Sequence, residues 1–177
     1  MPVNPPERRT IFNGRVIDLS IDTVTLPNGH TTELEIVAHP GGAAAVAVDE
    51  QGQVCLLEQY RHATGGWLTE LPAGLIEAGE SPLVTARREL EEEAGLQALE
   101  WTSLGWIWSS PGVFTERIHL FLARQLRPVG HARQVDEVIR ERWVALEQAA
   151  GSAADGQFTD SKTVIGLLRA ASLLQRP

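Results

Sequence analysis

Cysteine is nearly absent from this chain. Cys55, inside the apolar run VCLLEQY, is the only one, so no disulfide can form within the chain and a cytoplasmic protein is the expectation. Lysine is as scarce: of 15 basic residues only Lys162 is not arginine. Arginine suits planar recognition of phosphate, although a compositional bias of the source genome explains the preference as well. Positive charge is short overall, and the net charge of −8 at pH 7 argues against a nucleic-acid or membrane-surface partner. It does not exclude a small anionic substrate, because bound divalent ions reverse the local sign. No apolar run reaches the length of a membrane-spanning helix, and the first residues carry no signal-peptide pattern. Internal repeats and low-complexity tracts are missing too, and the five histidines lack metal-ligand spacing.

What is present reads as a soluble globular domain. With 43% apolar and 21% charged residues, 177 residues are ample for one sizeable core. Residues 1–9, MPVNPPERR, hold three prolines and read as an extended or flexible leader. The runs GRVIDLSIDTVTL and TTELEIVAH flank Pro27-Asn28-Gly29-His30, strong punctuation for a hairpin. A two-stranded ribbon is marginal alone, so residues 1–40 are expected to pack elsewhere, as a unit for dimerisation or substrate contact. The main domain is expected over residues 41–177. Strand patterns there alternate with helices after positions 81, 145 and 160, which fits an α/β sandwich around one mixed sheet. The tryptophans 67, 101, 106, 108 and 143 are expected to be mostly core.

Residues 74–96, GLIEAGESPLVTARRELEEEAGL, concentrate carboxylates around two arginines. Ser81 can cap a helix, Pro82 fits its first turn and Gly95 can end it. Leu83, Ala86, Leu90 and Ala94 then form a core face, and Glu89, Glu92 and Glu93 gather beside one another. Like charges at this spacing cost about 0.2–0.5 kcal/mol per pair. A solvated acidic face tolerates that. So does a site for a hard cation such as Mg²⁺, which takes oxygen ligands and leaves room for substrate phosphates.

The pattern G-x5-E-x7-R-E-U-x-E-E-x-G-U, with U a bulky aliphatic, is matched by Gly74, Glu80, Arg88, Glu89, Leu90, Glu92, Glu93, Gly95 and Leu96. On it the chain is identified as a member of the Nudix hydrolase superfamily. EQYRHATGGWLTELPAG before the box resembles the ADP-ribose pyrophosphatase or nucleoside-diphosphate-sugar hydrolase subfamily. So do Pro111, 16 residues beyond Gly95 in an SPG…ER-type loop, and the closing GQFTDSKTVIGLL. The fold this implies is a Nudix-type α/β/α sandwich with an N-terminal antiparallel β unit.

The resemblance implies roles residue by residue. Glu89, Glu92, Glu93 and the backbone carbonyl of Ala73 are expected to hold Mg²⁺, with Mn²⁺ a possible substitute. Arg88 is expected to orient the glutamates, and Glu80 to hold its loop. Arg61 is expected to grip substrate phosphates, the alternative being an ordinary ion pair. Glu70 is expected on the substrate side or as an orienting carboxylate. Ser110, in the SPG loop, is expected to bind substrate, and Glu116, with Arg117, is expected to line the terminal ribose pocket, against a strand-end salt bridge. The general base is expected to be Glu137, from the sparse acidic loop that also holds Asp136, with Glu93 as the alternative. The reaction implied is Mg²⁺-dependent hydrolysis of ADP-ribose to AMP and ribose 5-phosphate, by a homodimer. A broader hydrolase of ADP-glucose or GDP-mannose, and a sensor that binds ADP-ribose without cleaving it, are the alternatives.

Overall fold

A computed structural model describes residues 6–130 and 139–175, in two compact units. The first takes the described part of Met1–Gly41 together with Trp108–Arg117. The second takes Gly42–Ile107 and the described part of Ile118–Pro177.

The first unit is a three-stranded antiparallel sheet in the order β1-β2-β3, from Glu7–Asn13, Asp18–Thr25 and Thr31–Ala38. The hairpin about Pro27–His30 is as expected, but the leader becomes a strand after its last proline, Pro6. Its anchor is a fork from Arg8 to buried Asp22, at 2.8 and 2.6 Å, and Ser20 Oγ adds a third donor at 2.9 Å. The Arg8 guanidinium holds the Asp22 carboxyl below its ordinary range. The Ser110 carbonyl closes a turn by accepting from the Val113 and Phe114 amides, and Val37 bridges to Phe114.

The second unit carries two sheets where one was expected. A mixed sheet runs β7-β4-β9-β8, formed by Ala73–Leu75, Gly42–Ala47, Arg117–Pro128 and Leu96–Trp108. An antiparallel sheet runs β10-β5-β6, formed by Ile139–Ala145, Gln53–Arg61 and Gly66–Glu70. β4 pairs parallel with β9 on one side and antiparallel with β7 on the other. Between β4 and β5 a tight turn bridges Val48 to Val54, and only there do their chains meet in register. β4 and β5, adjacent in sequence, therefore enter different sheets.

β4 shows how the layers arise. Its sequence GAAAVA is buried throughout. Successive side chains point to opposite faces, so Ala44 and Val46 join one apolar cluster with α2 (Leu146–Ala154) and α3 (Ser161–Leu174). Ala45 and Ala47 join the other, with Leu90 and Ala94 of α1 (Pro82–Ala94). Helices on both sides of a sheet are the α/β/α sandwich. Four of the five tryptophans are not core: Trp67, Trp106, Trp108 and Trp143 are exposed. Arg140 covers the Trp67 ring at 4.9 Å, and Arg117 covers that of Trp108 at 4.8 Å, so these indoles are shielded by guanidinium planes. Among the described residues no helix is long and apolar enough to cross a membrane.

Candidate active site

The site is built on α1, whose ends are set by local chemistry. Ser81 Oγ accepts from the Val84 amide at 3.4 Å, Pro82 opens the first turn, and Gly95 at φ 62° closes the last with its N–H on Glu91 and Leu90. Gly95 is needed there because only glycine adopts the left-handed region without strain. The buried face is Thr85, Ala86, Glu89, Leu90, Glu93 and Ala94, whereas Leu83, expected in it, is only half-buried. A repeat of 3.6 residues places Glu93 between the columns of Ala86 and Glu89. Two of the three glutamates thus lie on the rim of the core, not on a separate acidic face: Glu89 is 6% exposed and Glu93 is 2%.

Buried carboxylates are costly unless paired, and the local partners are specific. The Ala73 amide donates to Glu93 Oε2 at 2.8 Å, tying α1 to the edge strand β7. Arg88 donates through Nη1 to Glu89 at 2.7 Å and to Glu92 at 3.3 Å. Its paired contact goes elsewhere, with Nε and Nη2 on the two Glu80 oxygens at 3.0 and 3.1 Å. Nη2 also reaches the Leu75 carbonyl at 3.1 Å. Glu80 accepts in addition from Thr85 Oγ1 at 2.7 Å and the Glu77 amide at 3.3 Å. The Arg88 hydrogen bonds, then that from Thr85, pull the Glu80 carboxyl down to about 2, and Arg88 is raised by Glu80 first and also by Glu89. Arg88 and Glu80 form the brace on which the other glutamates are arranged.

Gly74 sits against the Glu89 carboxylate. A Cβ there would meet Glu89 Oε1 at 1.9 Å and its Cδ at 2.2 Å, so the space of the missing side chain is filled by the Glu89 carboxylate. Among the described residues no three acidic, imidazole or thiol side chains are already gathered at metal-binding distances. Mg²⁺ does not require such a cage, because it keeps several waters and uses one or two carboxylates plus substrate phosphates. Buried hard oxygen donors, one carboxylate seated against a bare Cα, and an arginine dividing them fit a divalent cation. Glu89, Glu92, Glu93 and the Ala73 carbonyl are the groups that would hold it.

A second cluster lies at the ends of β5 and β6. Arg61 Nε and Nη2 grip the two oxygens of Glu70 at 2.8 and 2.9 Å, and Glu70 is 2% exposed. Lys162 Nζ also donates to Glu70 Oε2 and lies 3.0 Å from Asp160 Oδ2. Asp160 caps α3 through the Thr163 amide at 3.1 Å and the Thr163 hydroxyl at 2.5 Å. That hydroxyl oxygen in turn accepts from the Leu71 amide at 2.9 Å. Burial would raise the Glu70 carboxyl, but the Arg61 hydrogen bond and the Lys162 charge together hold it below its ordinary value. Arg61 is raised by Glu70 first, against desolvation, and also by the charges of Glu93 and Asp160, which links this cluster to the α1 glutamates.

Ser110 and Glu116 belong to the first unit, where the exposed Ser110 forms the turn described above. Glu116 Oε1 lies 3.3 Å from His39 Nδ1, and Arg117 lies over Trp108. Glu137 and Asp136 lie outside the described residues. Three residues of the second cluster, Lys162, Asp160 and Thr163, were not legible as site residues. Asp160 showed only as a helix cap and Lys162 only as the lone lysine, since 92 residues separate Lys162 from Glu70.

The family model described as NUDIX domain matches residues 38–165. An "ADP-ribose pyrophosphatase" of Bacillus subtilis (strain 168) is 38% identical over 162 residues, 90% of this chain and 88% of that protein. A "Methanol dehydrogenase activator" of Bacillus methanolicus is 40% identical over 159 residues, 89% of this chain and 86% of its own. A "GDP-mannose pyrophosphatase" of Klebsiella pneumoniae subsp. pneumoniae is 33% identical over 141 residues, 74% of this chain and 71% of that one. The solved structure "Crystal structure of ADP compounds hydrolase" superposes with TM-score 0.82 at 22% identity, over 99% of this chain and 97% of that one. At that identity it shows a shared fold.

Proposed function

The chain belongs to the NUDIX domain family, and from that premise we propose that it hydrolyses the pyrophosphate bond of ADP-ribose to AMP and ribose 5-phosphate with Mg²⁺ as cofactor. The observation that carries this reading is the pair of buried glutamates, Glu89 and Glu93, held against Gly74 and the Ala73 amide in a chain so similar to an ADP-ribose pyrophosphatase. Water adds to one phosphorus, the bridging P–O bond breaks, and the proton of the water passes to a carboxylate. A bound divalent cation supplies an acidified water and neutralises phosphate charge. Glu89, Glu92, Glu93 and the Ala73 carbonyl would hold it, and Arg88 keeps the glutamates apart and oriented. Arg61 grips the phosphates, with Glu70 behind it, Ser110 binds substrate and Glu116 serves the terminal ribose. Glu137 is the general base, with Glu93 in reserve.

The reading also makes the protein a cytoplasmic homodimer assembled through the N-terminal sheet. Exposed Ile11, Phe12 and Leu34 on that sheet support an apolar interface, and the single cysteine supports the compartment. A second reading, a hydrolase of broader nucleoside diphosphate sugars, is favoured by the likeness to a GDP-mannose pyrophosphatase. Initial rates with Mg²⁺ over ADP-ribose, ADP-glucose, GDP-mannose and diadenosine polyphosphates separate the two. The highest kcat/KM is expected for ADP-ribose. A preference for a hexose substrate would overturn the first reading in favour of the second, and no cleavage of any member would overturn both.

A further inference from the structure

Two cations share one buried carboxylate in the second unit. Arg61 and Lys162 both donate to Glu70, which is 2% exposed, and Lys162 is itself 12% exposed by side chain. Asp160 closes the set on the other side of Lys162. The four groups balance, with two positive and two negative charges. A buried carboxylate with one counter-ion holds that ion tightly, because an uncompensated charge in low dielectric is costly. A second cation relaxes the demand on the first.

We infer that Lys162 is a positioning residue: by sharing Glu70 with Arg61, it leaves the Arg61 guanidinium aimed by Glu70 yet free to turn charge toward a substrate phosphate. The placement is built into α3. The Asp160 cap fixes the first turn, and the Thr163 hydroxyl fastens that turn to the Leu71 amide, one residue beyond Glu70. Glu70 to Gly74 is thereby held at one end by α3 and at the other by Glu93 and Glu89. Arg61, 40% exposed, is the member of the set that faces solvent. Without Lys162 the cluster carries an extra negative charge where an anionic substrate must bind, and Arg61 is the sole counter-ion of Glu70 among the described residues.

This rests on the reading of Arg61 as the phosphate ligand of an ADP-ribose hydrolase, and the test separates the two. Steady-state kinetics with ADP-ribose and Mg²⁺ are measured for the wild type, R61A, K162M, K162R, E70Q and E70Q/K162M, each with its thermal midpoint. K162M is expected to raise KM roughly ten-fold with kcat changed less than about two-fold. K162R is expected to restore KM, because it returns the charge. In the E70Q background K162M is expected to change KM little, since Lys162 acts through Glu70. That comparison also carries the test should K162M alone not fold. An unchanged KM in K162M while R61A raises it overturns the inference alone. An equal rise with and without Glu70 also overturns it, by making Lys162 a direct substrate contact. A wild type that cleaves nothing, or an R61A with unchanged KM, overturns the Arg61 reading and the inference with it.

Discussion

Gly74 and Glu80 show what single residues contribute to this site. Glycine at 74 is required by space, since any Cβ would displace the Glu89 carboxylate. That carboxylate is the far end of a flexible side chain, so G74A is expected to cost the fold little, within about 1 kcal/mol by urea denaturation. Turnover should nonetheless fall on the order of a hundred-fold, the effect of misplacing a site group by an ångström. A variant that unfolds, or that keeps full turnover, would contradict this. Glu80 works through its charge. Its carboxyl is lowered from the ordinary 4.5 to about 2, by Arg88 first and Thr85 next. A depressed carboxyl adds stability above its unfolded value, and that stability is lost as pH falls through the folded one. The urea midpoint of E80Q should therefore lie below that of the wild type at pH 7. The gap should close between pH 4.5 and 2, and a gap constant over that window would rule the brace out.

At the scale of elements, α3 both completes the core and steadies the second cluster. Gly166 lies where this helix crosses the sheet: a Cβ would meet Leu71 Cδ1 at 2.7 Å and Val46 Cγ2 at 3.2 Å, both side chains fully buried. Alanine is the better helix former by about 1 kcal/mol, yet overpacking a filled core costs about 1–3 kcal/mol. G166A should thus be the less stable protein, and a raised urea midpoint would show that the crossing has slack. The helix boundaries were legible because caps are local: Ser81, Pro82, Gly95 and Asp160 stand where their chemistry places them. Sheet membership was not. The turn from β4 to β5 reads as a hairpin in either case, and only packing sends the two strands into separate sheets.

For the whole molecule, charge is the governing quantity. A chain of net charge −8 brings buried glutamates together and proposes to bind an anionic substrate beside them. Removing divalent ions with a chelator should abolish turnover, and Mg²⁺ should restore it. Mg²⁺ at 100 times its dissociation constant should also stabilise the fold by about 2.7 kcal/mol, because it binds the native state. A thermal midpoint indifferent to Mg²⁺ would argue against the carboxylate site even if activity were present. Sedimentation velocity tests the homodimer, which a single monomeric species at micromolar concentration would exclude.

The sequence by itself determined the family, the α1 boundaries and the acidic box, because those rest on local spacing within 23 consecutive residues. It also marked Arg61 and Glu70 as residues of interest, though not as partners of each other. Tertiary structure alone decided that Glu93 grips the Ala73 amide and that Glu89 fills the space above Gly74. It alone brought Lys162 and Thr163 to the end of β6. Contacts between residues far apart in the chain leave no periodicity to read. They depend on which faces are buried together, and that is settled only when the sheets and helices pack.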